Sequence, residues 1–169
     1  MNQNGIEIER KFLIVHPGEE WLNRQPGCRR AAIVQTYLTA ETGVTRRVRL
    51  WTENAVTRYI RTTKRPLSGI TREELEAEIG EEEYRALLRE SDPERRPICK
   101  TRWSIPYEGH VLEIDSYANW YSDRAILEVE LDREEEEFRI PPEIEIIREV
   151  TGDRRYLNSS MAREYPPRD

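Results

Sequence analysis

The chain is 169 residues long, enough for one domain with a sizeable core, yet 36% of it is charged against 37% hydrophobic. Its 33 acids outnumber its 27 bases for a net charge of −6, so it lacks the basic excess of a general nucleic-acid surface. Two cysteines are too few for a disulfide framework, no apolar run approaches the ~18 residues of a membrane span, and Met1–Gly5 resembles no secretory leader, so a cytoplasmic protein is expected.

Alternation dominates from the first strand, read over Ile6–Ile14. Side chains point to opposite faces in turn. One face carries Glu7, Glu9, Lys11 and Leu13, the other Ile6, Ile8, Arg10, Phe12 and Ile14. Pro17-Gly18 breaks the pattern, and a short helix over Glu19–Arg24 carries Trp21 and Leu22. Strands are expected over Ala31–Thr39, with Ile33, Gln35, Tyr37 and Thr39 on one face, and over Val44–Trp51, with Thr45, Arg47, Arg49 and Trp51 on one face. After a turn at Glu53-Asn54, Val56–Lys64 pairs back, and Pro66–Gly69 reads as a loop.

Ile70–Ile79 is ambiguous in period but reads as a strand, because Ile70, Arg72, Glu74, Glu76 and Glu78 repeat the charged alternation. A helix follows over Glu81–Glu90, with Tyr84, Leu87 and Leu88 on one side. Three further strands are Ile98–Ile105 (Lys100, Arg102, Ser104), Val111–Tyr117 (Glu113, Asp115) and Ala125–Leu131 (Glu128, Glu130). A short acidic helix is expected over Glu134–Arg139 and a terminal helix over Val150–Tyr165. Cys28 and Cys99 read as inert packing residues, and His16 and His110 as surface residues without a metal role.

Some eight short strands joined by hairpin-like turns imply an antiparallel sheet that curls or closes. A charged row on a strand is ordinarily a solvated face, and Glu-x-Glu-x-Lys arises easily in a chain this rich in Glu. Solvated faces, however, seldom segregate paired acids from paired bases strand after strand. The pattern across at least six strands points to a charged interior, with the apolar faces turned outward to helices. Acids sharing a cavity need neutralising, and carboxylates are the ligands that Mg²⁺ and Mn²⁺ prefer. Arginine matches phosphate oxygens in a fork. Together they are the equipment of phosphoryl transfer.

The run Glu7-Ile8-Glu9-Arg10-Lys11 resembles the signature of the CYTH domain, also called the triphosphate tunnel metalloenzyme family. Arg47-Val48-Arg49, Thr62-Thr63-Lys64, Arg72–Glu76, Lys100-Thr101-Arg102, Glu113-Ile114-Asp115, Glu128-Val129-Glu130 and Asp153–Ser160 follow in the family's order. The resemblance covers nearly the whole chain and implies a single domain over 1–169. The fold it implies is α+β: a closed eight-stranded antiparallel β-barrel, a tunnel, with helices packed outside. It further implies a cytoplasmic monomer or homodimer acting on a small polyanion, with Mg²⁺ or Mn²⁺ as cofactor and with neither nucleic acid nor membrane as partner. Glu7, Glu9, Glu128 and Glu130 match the metal-binding acids, with Glu76 and Asp115 as further ligands or water-orienting groups. Arg47, Arg49, Lys64, Arg72, Lys100, Arg102 and Arg155 match positions that grip phosphates. Lys11 matches the signature lysine, and Tyr37 is its candidate partner beside the scissile phosphate.

Two departures bear on substrate. The helical phosphate-binding domain that often follows a CYTH domain is not expected after this one, and no residues are identified that would hold a purine or a thiazole ring. Hydrolysis of inorganic triphosphate to pyrophosphate and phosphate is therefore expected first. The alternatives are a nucleoside or thiamine triphosphatase, a class IV adenylyl cyclase, and a non-catalytic polyphosphate- or nucleotide-binding protein.

Overall fold

A strand that is apolar on one face and ionic on the other can dry its apolar face only against something laid over it. That requirement shapes the whole chain. The computed structural model describes residues 6–68 and 71–168. In chain order the elements are β1 (Ile6–Val15), α1 (Glu19–Asn23), β2 (Arg29–Leu38), β3 (Thr45–Glu53), β4 (Val56–Ser68) and β5 (Thr71–Ile79). There follow α2 (Glu81–Leu87), β6 (Ile98–Tyr107), β7 (His110–Tyr117), β8 (Arg124–Leu131), β9 (Ile146–Glu149) and α3 (Asn158–Met161).

The sheet runs β5-β4-β3-β2-β6-β7-β8-β1-β9, and β5 also pairs with β1. That last pairing closes eight antiparallel strands into a barrel, with β9 added alongside β1. Register then aligns the ionic rows. Lys11 lies opposite Glu128, and Glu128 opposite Glu113. Arg102 faces Asp115, Arg47 faces Thr62, Thr62 faces Glu76 and Lys64 faces Glu74.

Apolar side chains are dried in three places, two on the outward faces and one inside the barrel. Ile8, Phe12, Ile14, Trp103, Leu112, Ile114, Leu127 and Val129 pack beneath Leu22 of α1, Ile144, Phe138 and Ile140. Asn23 of α1 accepts a hydrogen bond of 2.9 Å from the Trp103 indole, which fixes α1 on β6. Tyr84 of α2 covers Leu38 and Val48. The third cluster lies across one end of the bore. There Leu13, Tyr37, Ile98, Tyr117 and Ile126 meet Val150, Tyr156, Met161 and Ala162. Each such large side chain contributes about 1.5–3 kcal/mol on burial.

Helices pack outside the barrel as expected; α1 and α2 are short, with 5 and 7 residues, and Phe138, Ile140 and Ile144 join them in the coat. Other expectations need correction. Glu134–Arg139 is not a helix. Consecutive glutamates repel, Glu136 accepts the Asp132 N–H at 2.6 Å and engages His110 at 3.0 Å, and Phe138 turns onto Phe12 with centroids 6.0 Å apart. The terminal helix breaks into a 3-10 turn over Arg154–Tyr156 and one α turn, because Gly152 has φ +76 and Leu157 is extended. The Pro66–Gly69 loop is largely strand, since β4 continues to Ser68 past an irregularity at Pro66; Gly69 and Ile70 lie outside the described residues. Cys99 is exposed, so it is no packing residue, whereas Cys28 is half-buried against the first cluster. His16 and His110 are half-buried, not superficial: His16 stands edge-on to Trp103 at 5.6 Å.

Candidate active site

Inward-pointing side chains surround a cavity of about 880 Å³ in the bore. Its wall includes Glu7, Glu9, Lys11, Tyr37, Arg47, Arg49, Lys64, Arg72, Glu76, Lys100, Arg102, Glu128 and Glu130. Of the site residues expected from the sequence, only Asp115 and Arg155 do not wall it. Asp115 is fully buried just behind it, where its carboxylate binds Lys100 at 2.5 Å and both sides of the Arg102 fork at 2.7 and 2.6 Å. Arg155 is half exposed, stacked near Tyr156 and paired with Asp153 at 2.7 Å. Its neighbour Arg154 is the one that walls the cavity.

The strand alternation explains this convergence, and the ion pairs show how it is tolerated. Lys11 sits 2.7 Å from Glu128 and 3.5 Å from Glu9. Lys64 holds Glu7 at 2.5 Å and Glu74 at 3.3 Å. Arg47 approaches Glu74 at 3.5 Å, and Arg49 bonds Glu76. Arg102 also reaches Glu128 at 2.7 Å and bonds Glu113. Even so, the Nε donors of Arg47 and Arg49 are buried without a hydrogen-bond partner. An unmet buried donor costs about 1–3 kcal/mol, so the wall is better suited to a bound anion than to its own acids alone.

Protonation states follow from burial set against neighbours. Burial disfavours the Lys11 ammonium, but Glu128 and Glu9 outweigh it and raise its pKa. Lys100 goes the other way: burial and the adjacent Arg102 lower it to about 8, against partial support from Asp115. Burial and Arg47 likewise lower Arg49 to about 10. Burial works against the Glu128 carboxylate, yet Lys11 and Arg102 hold it well below the usual range. Burial raises the Tyr37 phenol, with Arg47 opposing, so it stays protonated at neutral pH; its oxygen accepts from Gln35 at 2.9 Å. Tyr37 and Lys11 are both equipped to donate protons or hydrogen bonds, and neither to act as a base.

The acids fit a hard divalent cation. Their donors are carboxylate oxygens, and β1 and β8 set Glu9 directly opposite Glu130. Like charges so opposed are destabilising unless a cation joins them. Among the described residues no three such ligands already converge on one point. Lysines and arginines hold several of the acids, so loading a metal would exchange ammonium contacts for metal contacts at Glu7 and Glu9.

Sequence reasoning missed Arg29, Arg58, Arg95 and Arg154, all of which wall the cavity. Arg29 shares the inward parity of Tyr37, and Arg58 that of Lys64, so alternation could have found both. Arg95 and Arg154 stand outside the strands, where no periodic signal exists.

Fold and bore together define a closed antiparallel barrel built around an ionic tunnel instead of an aliphatic centre. No family model matches the chain. It is 33% identical over 159 residues to the inorganic triphosphatase of Acetivibrio thermocellus, covering 94% of each chain. To the inorganic triphosphatase of Nitrosomonas europaea it is 32% identical over 162 residues, covering 95% of this chain and 99% of that one. The solved structure of the inorganic triphosphatase NE1496 matches with a TM-score of 0.59 at 29% identity, over 95% of this chain and 97% of that one. The chain belongs to the family of these inorganic triphosphatases.

Proposed function

We propose that the chain is a metal-dependent hydrolase of the CYTH, or triphosphate tunnel, type that cleaves inorganic triphosphate to pyrophosphate and phosphate inside the bore. The names of its relatives support the reaction. The observation that carries it is the pair of buried, unpartnered guanidinium donors on Arg47 and Arg49 in a wall that also holds Lys64, Arg72, Lys100 and Arg102. Phosphate oxygens complete such donors bidentately.

The residues divide the work by position. Arg47 and Arg49, adjacent on one face of β3, grip consecutive phosphates and neutralise charge on the leaving pyrophosphate. Lys100 and Arg102, oriented by buried Asp115, do the same from β6, two strands along the wall, which makes Asp115 a positioning residue. Lys11, held charged by Glu128, and protonated Tyr37 donate to the phosphate under attack. Glu76, bonded to Arg49 and Thr62, is the carboxylate placed to orient water. A Mg²⁺ or Mn²⁺ held by Glu7, Glu9, Glu128 and Glu130 would neutralise substrate charge and polarise a phosphoryl oxygen.

The test is a product assay with inorganic triphosphate, ATP and thiamine triphosphate, each with Mg²⁺, with Mn²⁺ and with chelator. Equimolar phosphate and pyrophosphate from inorganic triphosphate, lost with chelator and in Glu9→Gln, is the expected result. Cyclic nucleotide from ATP would make the protein a cyclase, and tight triphosphate binding without turnover would make it a binding protein. A Tyr37→Phe variant with undiminished rate would remove the Lys11–Tyr37 pairing from the mechanism.

A further inference from the structure

We infer that Glu53 limits the length of phosphate chain that the bore accepts, by occupying the two arginines at the mouth far from the C-terminal segment. The inference rests on the triphosphatase reading above and concerns its specificity. On β3 the inward row passes Arg47, Arg49, Trp51 and Glu53 in turn. Arg47 lies opposite Tyr37, which packs under Val150 and Tyr156, so Glu53 marks the opposite end of the row. It stands roughly 13 Å beyond Arg49 along the strand.

At that mouth Arg29 and Arg58 wall the cavity, with side chains 64% and 42% exposed. Each approaches a different oxygen of the Glu53 carboxylate, Arg29 Nε at 3.8 Å and Arg58 Nη2 at 3.8 Å. The Trp51 indole N–H donates to the same carboxylate at 3.3 Å, and the Glu53 side chain is only 12% exposed. One hydrogen bond and two ion pairs at 3.8 Å therefore hold an internal anion behind the wall where the basic row would otherwise continue. Two arginines alone would present a charge of +2, and with Glu53 they present +1. A triphosphate seated on Arg47 and Arg49 does not extend that far. Each added phosphate moves toward cations that are already engaged and toward a carboxylate that repels it.

Glu53→Gln removes the charge while keeping the shape. The measurement is kcat/KM for inorganic triphosphate, tetraphosphate and a longer polyphosphate, with calorimetric affinities for the same three anions. Glu53→Gln is expected to favour the longer chains over triphosphate by about two- to fivefold, the range for one exposed charge pair, through KM and not kcat. Triphosphate kinetics should stay at wild-type values. Adding Arg29→Ala and Arg58→Ala should abolish the gain, and Glu53→Asp, which keeps the charge, should retain the wild-type preference. An equal shift for all chain lengths, or none, overturns the inference. Failure of the wild-type protein to hydrolyse triphosphate would instead strike the triphosphatase reading, and the affinities would still report whether Glu53 discriminates by length.

Discussion

Lys11 and Phe12 are consecutive in the chain and nearly equally buried, at 5% and 6% exposure, yet they belong to opposite regimes. Phe12 faces the coat, against Phe138, where leaving water is favourable. Lys11 faces the bore, where leaving water is costly and is offset only by Glu128 and Glu9. Burial by itself therefore does not identify the stabilising core of this barrel. The coat holds the fold, and the bore is a charged cavity that the fold maintains at a cost.

Four measurements would break or sharpen that contrast. Phe12→Ala should lose about 3–5 kcal/mol in urea unfolding while the molecules that remain folded turn over triphosphate normally. Arg49→Ala should do the reverse, lowering kcat/KM about 10²–10³-fold with little movement of the urea midpoint. Comparable losses of both kinds in either variant would end the division.

A smaller effect concerns pH. Lys100 has a folded pKa lowered from 10.5 to about 8. The folded protein sheds this proton near pH 8, whereas the unfolded chain keeps it until near 10.5. Between those values the unfolded state binds more protons, so this group's contribution to stability rises with pH across the window. Affinity for triphosphate should fall over the same window as the cation disappears. Calorimetric titrations from pH 7 to 10 check this, and Lys100→Arg should flatten the affinity curve. The smallest effect is expected at Arg155, which lies outside the cavity wall: Arg155→Ala should change stability by no more than about 0.5 kcal/mol and leave triphosphate affinity intact, while Arg154→Ala weakens it.

Much of this was legible because strand alternation is a two-state code. Once Glu7, Glu9 and Lys11 share a face, so must Arg47 with Arg49 and Lys100 with Arg102, and closure makes that face common. The code is silent off the strands. Arg95 and Arg154 enter the wall from turns, and β9 is only four residues long. It also does not tell a side chain in the wall from one behind it, which is why Asp115 read as a peer of Glu76. At the C-terminal end, Gly152 and extended Leu157 outweighed a helix-like composition, and the broken turn is what swings Arg154 inward while Arg155 stays outside.

One consequence of the strand order concerns biogenesis. β1 emerges from the ribosome long before β8, its main neighbour, and the Lys11 amide ends up bonded to Thr151, 140 positions later. About 110 residues separate the two strands, a wait of roughly 5–22 s at ordinary translation rates. During that interval Phe12-Leu13-Ile14-Val15 is an unpaired greasy edge, flanked by Arg10 and Lys11 as charged gatekeepers against mispairing. The same long-range closure places the barrel among slow folders, on the millisecond-to-second scale. The first strand of the barrel in chain order is thus among the last to gain its full set of neighbours.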